Sequence, residues 1–153
     1  MLRLSKKADY ALMAMKHLAL RGDGSPHASA SAREIAELYD IPIELMAKVL
    51  QRLVRRGLLA SQQGTHGGYQ LARTPSQISV ADVIQAIDGP VTVTACSTDE
   101  GQCEQFAKCN VRDPLWRVRE RILAALGECT IAELAADVPP RPVAKTAVLY
   151  THL

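Results

Sequence analysis

Three cysteines, Cys96, Cys103 and Cys109, share one polar segment with the spacing C-x6-C-x5-C, between Pro90 and Pro114. Free cysteine ordinarily hides in a core as a small hydrophobe. These three stand among Asp, Glu, Gln and Ser, with no apolar periodicity to bury them. Thiolates grouped this way can hold an iron–sulfur cluster or a metal ion. The chain begins without a signal-peptide pattern, and no apolar run reaches the roughly 20 residues of a membrane span. A cytoplasmic, reducing setting is therefore expected, which argues against a disulfide. Structural zinc favours closer pairs such as C-x2-C, and it stays open as the runner-up. A nucleophilic or redox cysteine calls for C-x-x-C or a positioned histidine, and the histidines stand elsewhere, at His17, His27, His66 and His152. Iron–sulfur ligation leads. Three thiolates leave one of the usual four places unfilled. Cys129, just before a helix cap, reads as packing at a junction, and a carboxylate or water is the alternative fourth ligand.

The elements that must carry this segment are mostly helical. The chain has 153 residues, 48% of them hydrophobic but only 4% aromatic, a composition suited to packed helices. A first helix is expected from about Lys6 to Leu20, capped by Ser5, with Ala8, Ala11, Leu12, Met15, Leu18 and Ala19 on one stripe. Ser31-Ala-Arg-Glu34 is a capping-box pattern opening a second helix to Tyr39. Pro42 suits the first position of a third, which ends at Gly57. Two short strands, Leu58 to Ser61 and Gly68 to Leu71, flank a glycine-rich tip. Ser79 starts another helix, stopped by Asp88-Gly89-Pro90. Asp113-Pro114 reads as N-cap and first residue of a long helix, and Thr130 caps a last short one. From Val138 three prolines and little pattern indicate a loose tail.

Three helices followed by a two-stranded ribbon is the order of a winged helix-turn-helix. The expected fold is mainly α, with residues 1–74 as the winged domain, 75–137 as the cysteine loop and dimerisation helices, and 138–153 as the tail. The charge is split to match. Residues 1–73 carry a net +5 and residues 74–153 a net −3, so the first half suits a polyanion. In this motif the second helix of the pair enters the major groove. Glu44 and Lys48 are its early exposed positions, able to meet a cytosine N4 and a guanine edge or phosphate. Arg52, Arg55 and Arg56 suit phosphates or the protein's own acidic groups. Gln63, Thr65 and His66 reach from the wing tip toward a minor groove.

Several stretches together resemble one family. They are Arg3-Leu4-Ser5-Lys6-Lys7-Ala8-Asp9-Tyr10-Ala11-Leu12, the wing Gly64-Thr65-His66-Gly67-Gly68-Tyr69, Val83-Ile84-Gln85-Ala86-Ile87, and the cysteine triplet followed by Leu115-Trp116. The family is that of the IscR/NsrR-type winged-helix regulators, and the similarity covers about residues 2–135. The opening residues look nearest to the regulator of SUF-system iron–sulfur assembly. The resemblance implies a homodimer joined through the long helix from Pro114 to Leu126, double-stranded DNA as partner, and a [2Fe-2S] or [4Fe-4S] cluster on Cys96, Cys103 and Cys109. IscR-like members take a fourth ligand from a histidine three residues after the last cysteine, where this chain has Arg112. NsrR-like members use an aspartate near the start of the partner's first helix, and Asp9 occupies that place. Relatives often carry arginine where Gln63 stands, and Ala47 replaces a glutamate through which IscR reads DNA. IscR's operator specificity is therefore not carried over.

The resulting expectation is a regulator, acting as a repressor of iron–sulfur assembly genes and not an enzyme. The alternatives are a zinc-binding or cluster-free regulator responding to redox or nitric oxide, a thiol enzyme using one loop cysteine, and a winged-helix interaction module that never touches DNA.

Overall fold

The first helix, α1 (Lys6–Leu20), is the strut against which the rest of the chain is assembled. The computed structural model describes residues 3–22, 28–65, 67–94 and 103–136. Ser5 caps α1 by accepting the Ala8 N–H at 3.1 Å. Ala8, Ala11, Ala14, Met15 and Leu18 then form a fully buried stripe at helical spacing. The alanines let neighbouring helices approach closely, while Met15 fills the space between them.

Helix α2 (Ala32–Leu38) and α3 (Ile43–Arg55) pack on each other and on the core. Ser31 accepts the Glu34 N–H, giving half of the capping box. The Glu34 carboxylate pairs with Arg21 on α1, since a full guanidinium charge is the better partner for it than a backbone amide. Pro42 is the N-cap of α3, one residue earlier than the sequence suggested. The end of α3 is a Schellman motif. Gly57 adopts φ +74, its N–H donates to Val54 O at 3.0 Å, and the Leu58 N–H reaches Leu53 O at 3.0 Å. Leu53 and Leu58 are both buried beneath this turn.

Strands β1 (Leu59–Gln62) and β2 (Gly68–Leu71) form an antiparallel ribbon with Leu59 opposite Leu71 and Gln62 opposite Gly68. Ala30 and Tyr69 exchange two backbone hydrogen bonds, at 3.0 and 2.8 Å, and tie the wing to the entrance of α2. A Cβ at Gly68 would stand 2.6 Å from Ala30 O, so this close approach requires glycine.

A 3-10 turn (Pro75–Gln77) leads to α4 (Val80–Asp88), which opens with a complete Ser79–Asp82 capping box. Helix α5 (Arg112–Glu128) starts two residues before the expected Pro114. Proline is tolerated there because the first four N–H groups of a helix lack intrahelical acceptors anyway. Helix α6 (Ile131–Ala135) opens with the expected Thr130–Glu133 capping box and returns to α1. Ile131 N–H donates to Ile78 O and Val80 N–H to Cys129 O, at 2.9 and 2.8 Å. Ile78, Val83, Ala86, Ile87 and Ile131 thereby join the same core as α1, α2 and α3. In contrast, α5 buries none of its 17 residues. Val118 and Trp116 face water on it, and Ile122 and Leu126 are only half-covered. The expected tail lies outside the described residues.

Candidate nucleic-acid interface and cysteine segment

Burial of Met46, Val49, Leu50 and Leu53 fixes the inner face of α3. Glu44, Lys48 and Arg55 project from the opposite, exposed face, since spacings of four and seven residues bring side chains into line. Arg52 is placed differently. Its Nε donates to the carbonyl of Ala86 on α4 at 2.9 Å, so part of its guanidinium secures the recognition helix to the core. Docking α1 and α4 against α3 brings Lys7 beside Lys48, Arg52 and Arg55 along one groove, with Leu45, Val49, Gln51 and Ile87. No carboxylate lines it. Lys7 belongs to this cationic face, and sequence reasoning missed it because only tertiary packing joins residue 7 to residues 48–55. Gln63 and Thr65 are exposed at the wing tip, and His66 lies outside the described residues.

Asp9 is exposed in the first turn of α1. The N-terminus of that helix is docked by an anchor the sequence did not reveal. Asp88, the last residue of α4, accepts the Ser5 hydroxyl at 2.5 Å and the Ser5 N–H at 3.2 Å. A carboxylate at a helix C-terminus opposes the dipole, and these two donors offset that cost. From Asp88 the chain passes through Gly89 and Pro90 to Val91, whose carbonyl accepts from Arg119 Nε on α5 at 2.9 Å. The stem of the cysteine segment is thus held between α1 and α5.

Cys96 lies outside the described residues. Cys103 is exposed and Cys109 half-buried, and both are free thiols. They bracket a single 3-10 turn (Phe106–Lys108) that leads directly into α5. Among the described residues, no three His, Cys, Asp or Glu side chains converge on a point that could hold a metal ion. Cys129 behaves as the junction residue its position suggests. Burial, with the charge and hydrogen bond of Glu133, pushes its thiol above the ordinary range. It therefore stays protonated at neutral pH and is a poor thiolate donor. Arg112, standing at the head of α5, donates from Nε to Asp113 at 2.8 Å and from Nη1 to the Phe106 carbonyl at 3.1 Å. That hydrogen bond, and secondly the guanidinium charge, hold the Asp113 carboxyl below its ordinary pKa. No helix among the described residues is long and apolar enough to cross a membrane.

A buried-faced second helix of a helix-turn-helix pair, a cationic outer face and a glycine-tipped ribbon define a winged-helix protein of the DNA-binding class. Residues 4–137 match the family described as "Rrf2: Iron-dependent Transcriptional regulator". The HTH-type transcriptional regulator IscR of Xenorhabdus nematophila is 37% identical over 137 residues, which is 89% of this chain and 80% of that one. IscR of Serratia proteamaculans is 37% identical over 134 residues, 87% and 79% of the two chains. Among solved structures, CymR (YrzC), the global cysteine regulator of B. subtilis, superposes with a TM-score of 0.72 at 27% identity, covering 91% of this chain and all of that one. T. potens IscR gives 0.66 at 27% identity, covering 87% and 85%. The chain belongs to the Rrf2 family and is an IscR-like transcriptional regulator.

Proposed function

We propose that this chain is a cytoplasmic, homodimeric repressor of iron–sulfur cluster assembly genes of the SUF type, whose hold on its operator follows an iron–sulfur cluster. The observation that carries the reading is the position of the cysteine turn, between the stem held to α1 and the unburied helix α5. The donor set suits such a group. Cys103 and Cys109 are not packed as core, whereas Cys129, the thiol that is kept protonated, stands apart at the α5–α6 junction. Cys96, Cys103 and Cys109 would hold the cluster, with Asp9 of a second copy as fourth ligand. When bound, the cluster supplies a linkage among these segments that responds to iron supply and to oxidants.

The chain's own residues do the remainder. The exposed apolar residues of α5 supply a face for a second copy, which would set the separation of the two recognition helices. Half-sites about one DNA turn (~34 Å) apart are engaged only at the right separation. Lys48 and Arg55, with Lys7, meet phosphates, and Glu44 reaches a base edge. Gln63, Thr65 and His66 approach the neighbouring minor groove. Arg52, already bound to Ala86, supports the helix and offers its outer N–H groups to phosphate. A ligand biases the two dimer arrangements only by binding one of them better.

Anaerobic purification followed by iron and acid-labile sulfide analysis tests the reading. Coloured protein is expected, with thiolate-to-iron absorption lost in Cys96→Ala, Cys103→Ala and Cys109→Ala, and operator affinity differing between loaded and stripped forms. Asp9→Ala is expected to loosen the cluster with the fold intact. Colourless protein carrying stoichiometric zinc would instead establish the zinc-binding alternative.

A further inference from the structure

We propose that Arg112 is a positioning residue that clamps the turn bearing Cys103 and Cys109 onto the head of α5 and so fixes how those two thiols are presented. The cluster-related part of this proposal rests on the reading above; the clamp itself does not.

Several contacts converge on the one guanidinium. Its Nη1 donates to the Phe106 carbonyl at 3.1 Å, and its central carbon lies 4.5 Å from the Phe106 ring centroid. The same carbon lies 5.5 Å from the Trp116 ring centroid, one turn further along α5. The two rings are 6.5 Å apart and tilted by 54°. Nε is fixed by Asp113. Phe106 and Trp116 are 44% and 36% exposed, so the core does not hold them. The guanidinium spans them instead, using its flat face on the rings and its edge on the carbonyl.

The turn carried by Phe106 has internal order of its own. The Phe106 N–H donates to Cys103 O and the Lys108 N–H to Gln105 O, both at 3.0 Å. Cys103 and Cys109 are therefore the two ends of one short, hydrogen-bonded unit. Fixing Phe106 fixes both ends. Two donors set in advance reduce the ordering cost that any multidentate ligand must meet. Lysine lacks both the planar face and the forked edge, so it reproduces the charge but not the clamp.

The test begins with the reduced, metal-free protein, where no cluster is involved. Labelling by a thiol reagent, resolved by mass spectrometry, reads each cysteine separately, with Cys129 as internal reference. Arg112→Ala is expected to speed labelling of half-buried Cys109 about tenfold, equivalent to about 1.4 kcal/mol in local opening. Cys129 should be unchanged, and the emission of Trp116, the single tryptophan, should move to the red. Arg112→Lys, which keeps the charge and the fold, is expected to restore less than half of the effect on a logarithmic scale.

In loaded protein both variants should lose iron to a chelator several-fold faster than the unaltered chain. Full restoration by Arg112→Lys would overturn the clamp in favour of a simple charge effect. Unchanged Cys109 labelling in folded Arg112→Ala, with the Trp116 spectrum also unchanged, would overturn it outright. Unaltered protein that takes up neither iron nor sulfide would remove the cluster reading alone, and the labelling rates would still decide the clamp.

Discussion

The Ser5–Asp88 contact offers a perturbation whose size can be worked out group by group. Ser5 has two roles, capping α1 through Ala8 N–H and donating twice to the Asp88 carboxylate. Ser5→Ala removes the cap, costing about 1 kcal/mol. It also removes the hydroxyl donor to a charged acceptor, a bond of about 1.5–3 kcal/mol when buried. The contact is exposed, so water competes and about 1 kcal/mol remains. The total is about 2 kcal/mol. Asp88→Ala loses the same bond but relieves a carboxylate at a helix C-terminus, which returns about 0.3–1 kcal/mol, so its net cost is about 0.5 kcal/mol. Because the shared bond can be lost only once, the double variant should be less destabilised than the sum of the two by about 1 kcal/mol. Urea unfolding followed by circular dichroism, at one protein concentration, measures this. With a slope of about 1–3 kcal/mol per molar, Ser5→Ala should lower the midpoint by about 1 M. Additive single and double variants would refute the argument, because they would mean that the α1–α4 anchor carries no energy of its own.

Leu50→Ala, at a position with no exposure, should cost about 2–5 kcal/mol in the same assay, through lost transfer energy and a residual cavity. His17 should make stability depend on mild acid. Burial, then the Arg21 charge, lower its pKa from 6.5 against a smaller opposing effect of Glu34. Its Nδ1 faces the Tyr39 hydroxyl at 3.2 Å, and its Nε2 is buried without a hydrogen-bond partner. The unfolded chain then binds the proton better than the folded one, so stability is complete above about pH 6.5 and falls as pH drops through the lower folded value. Replacement by Gln should flatten the urea midpoint between about pH 7.5 and 5.5. Lys48→Ala should weaken binding to all DNA sequences and reduce the slope of log affinity against log salt by about 0.9, read by fluorescence anisotropy across a salt series.

Much of the fold was legible because its signals are local. Ser5, Ser31, Ser79 and Thr130 all cap helices as their sequence context suggests. The stripe from Ala8 to Leu18 is the buried one, and the Gly57 stop and the ribbon pairing follow from short-range chemistry. The shifted starts of α3 and α5 have a local cause too, since proline satisfies several positions in a first turn and does not select one. What was not legible is what the core brings together from afar. Lys7 joins the cationic face, Arg52 turns to Ala86, and Asp88 reaches back 83 residues to Ser5. Arg112 shows the same limit from the other side. Its identity excluded a histidine ligand at that place, but nothing in the sequence announced the two rings beneath it.

The meeting of α4 and α6 with α1 has a practical consequence for anyone wishing to cut this molecule down. Ile78, Val83, Ile87 and Ile131 come from beyond the wing, yet they complete the apolar interior around α1. A peptide ending at residue 74 would leave that interior open to water and would be a poor minimal reader of DNA, however complete its recognition helix and ribbon look on paper. The part that grips the double helix and the part that carries the sulfur are tailored from one cloth, and a change in either is felt across a shared seam.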